Sequence, residues 1–368
     1  MKIVIEKTAF LKTISHVQNA VERRNAIPIL ANVKIQAEGD SVVLSTTDME
    51  MSITEKVAAS VEKKGAITVS ASMLHDIVRK LPDGAEVNLN TDSGNDTLSL
   101  TSGRSKFSLQ TLPVDEFPLL SEGDAICDFT LQAAVLKNML DRTKFAISTE
   151  ETRYYLNGIF MHTKGDTLCA VATDGHRLAK IEIQSPKGAK FEDGIIIPRK
   201  AVGEINKLLE ENDDSIGISL SDNKVKFTIG NIVLISKLID GKFPDYERVI
   251  PKGNNMVLTA ECREFAKAVD RVSTVSSDKM RAVKIGLSKN NIKVSAASQE
   301  HGNAEEDVPA SYNGDELEIG FNSKYLMDIS EQIDSGSLKM LLADQSSPSI
   351  IQDDKNDNAI YVLMPMRV

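Results

Sequence analysis

The chain has 368 residues, more than the roughly 250–300 at which one hydrophobic core usually stops growing, so two or three domains are expected. An apolar fraction of 41% and a charged fraction of 26% are typical of a globular protein, and they exclude a disordered, collagen-like or disulfide-scaffold chain. The 43 Lys and Arg against 53 Asp and Glu give a net charge of −10, which argues against nucleic-acid binding if the charge is evenly distributed.

Apolar spacing predicts the same series of elements in each third of the chain. Each third begins with a short strand and continues into an amphipathic helix, as the spacing of Phe10, Ile14 and Val17 shows. Paired strands follow, at 32–36 and 42–44, at 159–161 and 168–171, and at 283–285 and 292–294. The sequence therefore predicts sheets that each carry a helix.

A second helix and further strands complete each third. Residue types favoured at helix starts occur at Ser70 or Ser72, at Pro198, and at Asn322 or Ser323. Alternating strands follow at 97–109, 224–238 and 359–364. The predicted unit is two helices on a largely antiparallel sheet, an α+β architecture.

Two helical signatures show that this unit is repeated three times. The first is AFLKTI at 9–14, AVLKNM at 134–139 and EFAKAV at 264–269, with offsets of 125 and 130 residues. The second, an aliphatic residue, any residue, an acid and Ile, begins at Leu74, Val202 and Leu326. A period near 125 is too long for a solenoid repeat and suits a whole small domain.

Matching junctions set the domain boundaries. The first two repeats end in LPVDEFP at 112–118 and LIDGKFP at 238–244, and proline stops the strand in both. We therefore expect three domains, at 1–120, 121–252 and 253–368.

Motifs of catalysis, metal binding and export are missing from the sequence. No phosphate loop, dinucleotide fingerprint, nucleophile elbow or zinc-type histidine spacing is present. No apolar run approaches the roughly 18–20 residues of a membrane helix, and the apolar N-terminal stretch is too short for a signal peptide. The three cysteines are widely spaced and indicate neither a disulfide framework nor a zinc site. We expect a cytoplasmic protein without metal or cofactor.

Two polar clusters are candidates for function. The segment TDGHR at 173–177 brings together a carboxylate, an imidazole and a guanidinium, which could serve acid/base chemistry or phosphate recognition, or could be a strand end followed by a glycine turn. In RYYLNG at 153–158, two adjacent tyrosines of a strand would point to opposite faces, so one is expected to be exposed. Cross-strand packing and contact with a phosphate backbone both remain open for it.

Several stretches, spread in order over nearly the whole chain, are similar to bacterial DNA polymerase III β subunits, the sliding clamps. They are PIL at 28–30, TDMEM at 47–51, LPDGAE at 81–86, SGRS at 102–105, RYYLNG at 153–158, VATDGHRL at 171–178, FPDY at 243–246 and MPMR at 364–367. The resemblance implies a non-catalytic processivity factor in which two three-domain chains close head to tail into a ring around double-stranded DNA. Implied partners are a replicative polymerase, a clamp loader, and other polymerases and repair proteins that carry a clamp-binding motif.

In this family the clusters that look enzymatic form a peptide-binding pocket. The motif match assigns to that pocket Arg153, Leu156, Thr173, Gly175, His176, Arg177, Leu178, Pro244, Arg248, Val249, Val362, Met364, Pro365, Met366 and Arg367. Its implied ligand is a short apolar motif of a partner protein, bound weakly and exchangeably.

The resemblance also implies DNA contacts and a dimer interface. The implied DNA contacts are Arg24, Arg79, Tyr154, Tyr155, Arg199 and Lys200. This chain departs from relatives at Ser72, where some have Arg, and at Glu150, where some have an amide. The implied interface residues are Arg104, Lys106, Phe107, Leu109, Val275, Glu300, Glu305 and Glu306.

The charge is not evenly distributed if this interpretation holds. The six helices expected to line the ring, at 7–24, 72–80, 131–144, 199–209, 261–273 and 323–333, sum to +7, so the remaining residues carry −17. A duplex in the ring would be exposed mainly to this positive lining. Two other hypotheses are a hydrolase that uses Asp174 and His176, and a peptide-binding adaptor that does not bind DNA.

Overall fold

The structure, a computed structural model, describes residues 1–21, 26–91, 97–212, 214–276 and 281–367. Within these ranges it contains six α-helices of 8–12 residues and 25 strands. Its strand pairings are antiparallel. The predicted α+β class is confirmed.

Each third of the chain contains two helices, as the repeat predicts. The first third contains β1 (Lys2–Glu6), α1 (Lys7–Val17), β2 (Asn32–Glu38), β3 (Ser41–Thr47), β4 (Met51–Ala58), β5 (Ser60–Lys63), β6 (Gly65–Ser70), α2 (Ala71–Lys80), β7 (Glu86–Asn90), β8 (Thr97–Ser102) and β9 (Ser105–Leu112). The second contains β10 (Cys127–Gln132), α3 (Ala133–Lys144), β11 (Gly158–Lys164), β12 (Thr167–Thr173), β13 (Arg177–Gln184), β14 (Ile195–Pro198), α4 (Arg199–Leu209), β15 (Ser215–Leu220), β16 (Lys224–Ile229) and β17 (Ile232–Lys237).

The last third has the same order of elements as the second. It contains β18 (Met256–Glu261), α5 (Cys262–Ser273), β19 (Ala282–Ser288), β20 (Asn291–Ser298), β21 (Gly302–Tyr312), β22 (Leu317–Asn322), α6 (Ser323–Ser330), β23 (Ser337–Leu342), β24 (Ser349–Asp353) and β25 (Asn356–Leu363). Among the described residues, the first third has the same order of helices and strands with one additional strand, β5, which pairs with β1.

Helix α1 ends earlier than its apolar spacing predicts. The prediction ran to residue 24, but the α-helix ends at Val17 and a 3₁₀ turn, Gln18–Ala20, follows. The hydroxyl of Thr46 donates to the Val17 carbonyl, which the next helical turn would otherwise use, and the Val21 N–H donates to Gln18 instead. A contact from a distant strand therefore ends the helix. Helix α6 likewise ends at Ser330 rather than at 333.

The described residues form two compact units, and the central third contributes to both. Unit 1 comprises Met1–Lys137, Pro186–Ala189 and Lys200–Leu238, and unit 2 comprises Asn138–Ser185, Lys190–Arg199 and Ile239–Val368. The strand order in unit 1 is β10-β15-β16-β17-β4-β3-β2-β6-β9-β8-β7-β1-β5. In unit 2 it is β14-β11-β12-β13-β25-β24-β23-β18-β21-β20-β19-β22. The boundaries near 120 and 252 stay a prediction.

Each unit contains a seam, a strand pair that joins different thirds of the chain. In unit 1, β17 pairs with β4 and places Leu234 opposite Ile53. In unit 2, β13 pairs with β25 and places Leu178 opposite Val362. Side chains of both pairs are buried, so each seam contributes apolar burial as well as backbone hydrogen bonds.

Candidate functional site

An apolar cluster in unit 2, here called the groove cluster, lies beside the β13–β25 seam. Its buried members come from strands of two thirds of the chain, from the 3₁₀ turn Glu151–Leu156 and from the segment after β17: Leu156, Val171, Leu178, Ile196, Phe243, Tyr246, Ile350 and Val362. The sequence assigned Leu156, Leu178 and Val362 to a peptide pocket, and the structure brings these three together. It adds Ile196 and Ile350, which only their place in apolar strand runs could have indicated.

Large apolar side chains remain exposed at the edge of this cluster. Val249 is 50% exposed and Met364 is 41% exposed. Val249 lies between Tyr246 and Ile250, which both belong to or pack against the cluster. The N–H of Met364 donates to the carbonyl oxygen of His176 at 2.9 Å. The cluster thus has an exposed apolar rim beside the 173–177 turn, as an apolar ligand would require.

The 173–177 turn is held by its own side chains. The hydroxyl of Thr173 donates to the carbonyl of Arg177 at 2.6 Å, and Gly175 has a φ of +89°, which favours glycine. One carboxylate oxygen of Asp174 accepts the N–H groups of His176 at 2.9 Å and Arg177 at 3.0 Å. The carboxylate therefore caps a turn instead of orienting an imidazole for acid/base chemistry, and the hydrolase hypothesis gains no support.

Arg177 is buried and its guanidinium is engaged on several sides. Nε donates to Asp174 at 3.0 Å, Nη1 to Asp328 on α6 at 2.5 Å, and Nη2 to the carbonyl of Phe145 at 2.5 Å. The group lies 4.2 Å from the ring centre of Tyr325 and 5.1 Å from that of Phe145. The side chain assigned to the pocket thus locks the turn onto α6, and offers few free donors to a ligand.

Arg153 lies across the same turn and is paired with Glu150. Its Nε donates to Glu150 Oε2 at 2.8 Å, and its Nη2 lies 2.7 Å from Glu150 Oε1, which makes a two-pronged ion pair. This bonding holds the pKa of Glu150 below its ordinary value and raises the pKa of Arg153. Nη1 of Arg153 lies only 2.5 Å from the point where a Cβ on Gly175 would be. A larger residue at this position would have to displace the guanidinium and would also be strained by the positive φ.

His162, which the sequence analysis did not single out, forms a polar pair with Tyr246 of the groove cluster. His162 Nε2 lies 2.9 Å from the hydroxyl of Tyr246, and the ring of Phe160 stacks on that of Phe243 at 4.8 Å. Burial lowers the pKa of His162 and raises the pKa of Tyr246, so both are neutral near pH 7. The FPDY motif at 243–246 indicated Phe243 and Tyr246 in the sequence, but no motif indicated His162.

The remaining pocket candidates divide between the rim and a second location. Pro244 is exposed, and the exposed Arg248 pairs with Asp245 at 2.7 Å. Pro365 is half-buried after Met364. The N–H of Met366 donates to Gly320 of β22 at 2.8 Å, and Arg367 lines a separate cleft with Ala296, Asn303 and Glu305. The structure thus does not bring Arg367 to the groove cluster.

The DNA-contact candidates of unit 1 lie at helix ends. Arg79 is exposed on α2 and pairs with Asp76 at 3.0 Å, and Ser72 is exposed on the same helix. Lys200 in the first turn of α4 pairs with Asp48 and donates to the carbonyl of Ala20. Arg24 lies outside the described residues.

The candidates of unit 2 lie around a 3₁₀ turn. Tyr154 is 53% exposed, whereas Tyr155 is half-buried against the groove cluster, with the ring centres 5.8 Å apart. The expectation of one exposed tyrosine is met, although the pair lies in the 3₁₀ turn Glu151–Leu156 rather than at a strand start. Arg199 is exposed at the start of α4, and Glu150 forms an ion pair with Arg153.

The interface candidates of unit 1 lie on β9. This strand pairs with β8 along its length, but with β6 only at its end, at Thr111 and Leu112. Phe107 and Leu109 are half-buried, whereas Arg104 and Lys106 are exposed.

The interface candidates of unit 2 are already partly engaged within the chain. Glu306 forms a two-pronged pair with Arg271, at 2.9 Å and 2.5 Å, and Glu305 lies 3.5 Å from Lys293. Glu300 is exposed, and Val275 is half-buried just after α5. Two of the three acids expected to face Arg104 and Lys106, Glu305 and Glu306, thus have intrachain partners.

The described ranges contain neither a membrane-spanning helix nor a metal-binding cluster. No helix among them is long and apolar enough to cross a membrane, and their His, Cys, Asp and Glu side chains form no group that could hold a metal ion. The acidic run at 353–358 spans the end of β24, a two-residue turn and the start of β25, with Asp353 opposite Asn356.

Comparison with known proteins gives matches over the whole chain. Models of the DNA polymerase III beta subunit match in three consecutive parts: the N-terminal domain at 1–121, the central domain at 130–245 and the C-terminal domain at 247–367. The beta sliding clamp of Caulobacter vibrioides is 45% identical over 372 residues, and that of Escherichia coli K12 is 36% identical over 370 residues, with 100% of each chain covered. A solved sliding clamp from Bartonella birtlesii, bound to griselimycin, is 48% identical with a TM-score of 0.97 over 100% of both chains.

Proposed function

The chain belongs to the DNA polymerase III β-subunit family, and we propose on that premise that two copies close head to tail into a ring around double-stranded DNA. Sliding clamps are non-catalytic processivity factors, and this chain is one by its family. The observation that carries the proposal is the full-length match to three consecutive family domains. Encirclement would tether a polymerase to DNA without a sequence-specific contact.

The charge of the helices supports this function. As observed, the six helices contain 14 Lys and Arg and six Asp and Glu, a net +8 in a chain of net −10. Lys12, Arg79, Lys207 and Arg271 have side chains more than half exposed. Their ion pairs are surface pairs, worth about 0–1 kcal/mol, and so can exchange for phosphate contacts as DNA slides.

Two cations of the expected lining do not contribute to it. Arg142 on α3 is buried and donates to Asp334 and to the carbonyl of Gln332. Lys7 on α1 is likewise buried and pairs with Asp83. The proposed DNA surface is therefore made by fewer cations than the helix sequences suggest. Arg24, Tyr154, Arg199 and Lys200 complete the proposed contacts.

The groove cluster is the proposed docking site for partner proteins. A replicative polymerase, the clamp loader and other polymerases or repair proteins would each insert a short apolar motif between Val249, Met364 and the buried floor. The apolar floor and exposed rim support one or two anchors and a weak, exchangeable complex.

The ring would close through β9 of one copy and the last third of the other. Phe107 and Leu109 would meet the region of Val275, while Arg104 and Lys106 would lie near Glu300 and the partly engaged Glu305 and Glu306. We also propose domain boundaries near 120 and 252, a cytoplasmic location on the nucleoid during replication, and no cofactor.

Retention on DNA tests the ring. The protein is placed on nicked circular DNA by a clamp loader, and bound protein is measured by gel filtration before and after the circle is cut. We expect a dimer that stays on the circle and is lost from the linear product. Equal retention on both forms would contradict a topological link.

A further inference from the structure

Glu150 lies four residues before Tyr154, one of the proposed DNA contacts. A carboxylate near a DNA path would repel phosphate, yet this one is engaged by both prongs of Arg153. The residue lies immediately before the 3₁₀ turn Glu151–Leu156, and its N–H donates to the hydroxyl of Ser148 at 3.2 Å. The ion pair with Arg153 thus holds the carboxylate on the side of the turn that faces the guanidinium.

We propose that Glu150 is a specificity-determining residue of the groove, which makes the groove disfavour ligands with an acidic side chain next to their apolar anchor. The inference rests on the proposed peptide-binding function. It assigns Glu150 to the choice of peptide and not to DNA.

The position of Arg153 places this pair at the groove rim. Its Nη1 lies over Gly175, whose neighbour His176 bonds through its carbonyl to the N–H of Met364. Leu156, three residues after Arg153, is a buried member of the groove cluster. A ligand on that cluster therefore passes within reach of the Glu150–Arg153 pair.

Glu150 determines whether the positive charge of Arg153 at the groove rim is offset. The carboxylate of Asp174 is saturated by Arg177 and two backbone N–H groups. Arg153 pairs with Glu150, and the charges of the two side chains sum to zero. Glu150 engages Nε and Nη2 of Arg153, so a ligand carboxylate that approaches Nη1 over Gly175 would face the negative charge of Glu150. With an amide at this position the guanidinium would keep a full positive charge and would attract the same carboxylate.

The experiment uses two matched peptides on the full-length protein. One is a fluorescein-labelled peptide with a Leu-Phe anchor flanked by Gln, and the other has Glu in place of that Gln. Dissociation constants are measured by fluorescence anisotropy for the wild type, Glu150→Gln and the control Glu151→Gln. Glu151 is an exposed neighbour, so its substitution makes the same change in net charge.

We expect Glu150→Gln to lower the ratio of the two dissociation constants, acidic over neutral, by about two- to fivefold, as for a partly exposed ion pair. The control should leave the ratio unchanged, and high salt should reduce the effect. An unchanged ratio in Glu150→Gln, including equal weakening of both peptides, would overturn the proposal, as would an equal shift in Glu151→Gln. If the wild type binds neither peptide, the proposed groove function itself fails.

Discussion

The two seams join different thirds of the chain by the same backbone pairing, but they are reinforced by different side-chain chemistry. In unit 1 the β4–β17 seam places Ile53 opposite Leu234, and in unit 2 the β13–β25 seam places Leu178 opposite Val362. Antiparallel hydrogen bonds and an apolar pair are common to both. The difference lies in the charged group that ties a helix to each seam.

In unit 1 that group is a histidine. His16 of α1 lies with Nδ1 2.8 Å from Glu55 on β4 and with Nε2 3.3 Å from Glu211, just after α4. Lys12 lies 2.8 Å from the same Glu211 oxygen, and Thr13 donates to Glu55 at 3.3 Å. Burial alone would lower the pKa of His16, but bonding to the two carboxylates raises it. This reinforcement depends on a proton.

In unit 2 the group is Arg177, which binds Asp328 of α6 and stays charged at any pH of interest. Unlike a histidine–carboxylate pair, a guanidinium–carboxylate pair keeps both charges near neutral pH, so the seam that carries the proposed peptide groove lacks this dependence. The seam of unit 1 is strongest only while His16 is protonated. Substitutions can break each reinforcement separately.

The largest effect is expected from Asp328→Ala. Removing Asp328 leaves Nη1 of the buried Arg177 without its acceptor and Asp174 as the remaining carboxylate partner, and breaking a buried pair in this way costs about 3–4 kcal/mol. Denaturant unfolding followed by circular dichroism measures the change. Glu331→Ala, an exposed acid just after α6, is the control and should change stability by less than about 0.5 kcal/mol. A loss below about 1 kcal/mol for Asp328→Ala would show that Arg177 does not hold the seam.

The next effect is expected from Leu234→Ala in unit 1. Leu234 is fully buried opposite Ile53, so truncation leaves a cavity and should cost about 3 kcal/mol in the same measurement. Val233→Ala, on the opposite face of β17 and only half-buried, should cost clearly less. Equal costs for the two variants would mean that burial at the seam is not what stabilises unit 1.

Features that depend on residues close together in the sequence were predicted correctly. The repeat signatures and the motif match predicted the fold class, the six helices and the apolar members Leu156, Leu178 and Val362. The early end of α1 was missed because it depends on Thr46, 29 residues from Val17. The pairing of Glu150 with Arg153 lies within one turn and could have been inferred.

Ion pairs between residues that are far apart in the sequence could not be predicted in this way. Arg177 pairs with Asp328, 151 residues away in the sequence, and Arg142 pairs with Asp334, 192 residues away. A single sequence shows neither partner. Both guanidiniums were therefore expected at a surface, Arg177 in the pocket and Arg142 in the positive lining, and both are buried.

The smallest effect is the pH dependence that His16 gives to unit 1. Its folded pKa lies above the unfolded value of about 6.5, so its stabilisation is full below pH 6.5 and is lost as pH rises through the folded pKa. The folded pKa of Glu211 is lowered by Lys12 and His16, so its contribution fades as pH falls through that lowered pKa. The stability difference between wild type and His16→Gln should therefore be greatest near pH 5–6.5, at about 1 kcal/mol, and shrink towards pH 8. His75 is the control, because burial and then Arg79 lower its pKa, and His75→Gln should remove a dependence of the opposite sign. Unfolding midpoints across this pH range measure both, and a His16→Gln difference that stays constant with pH would place the reinforcement of the unit 1 seam in packing alone.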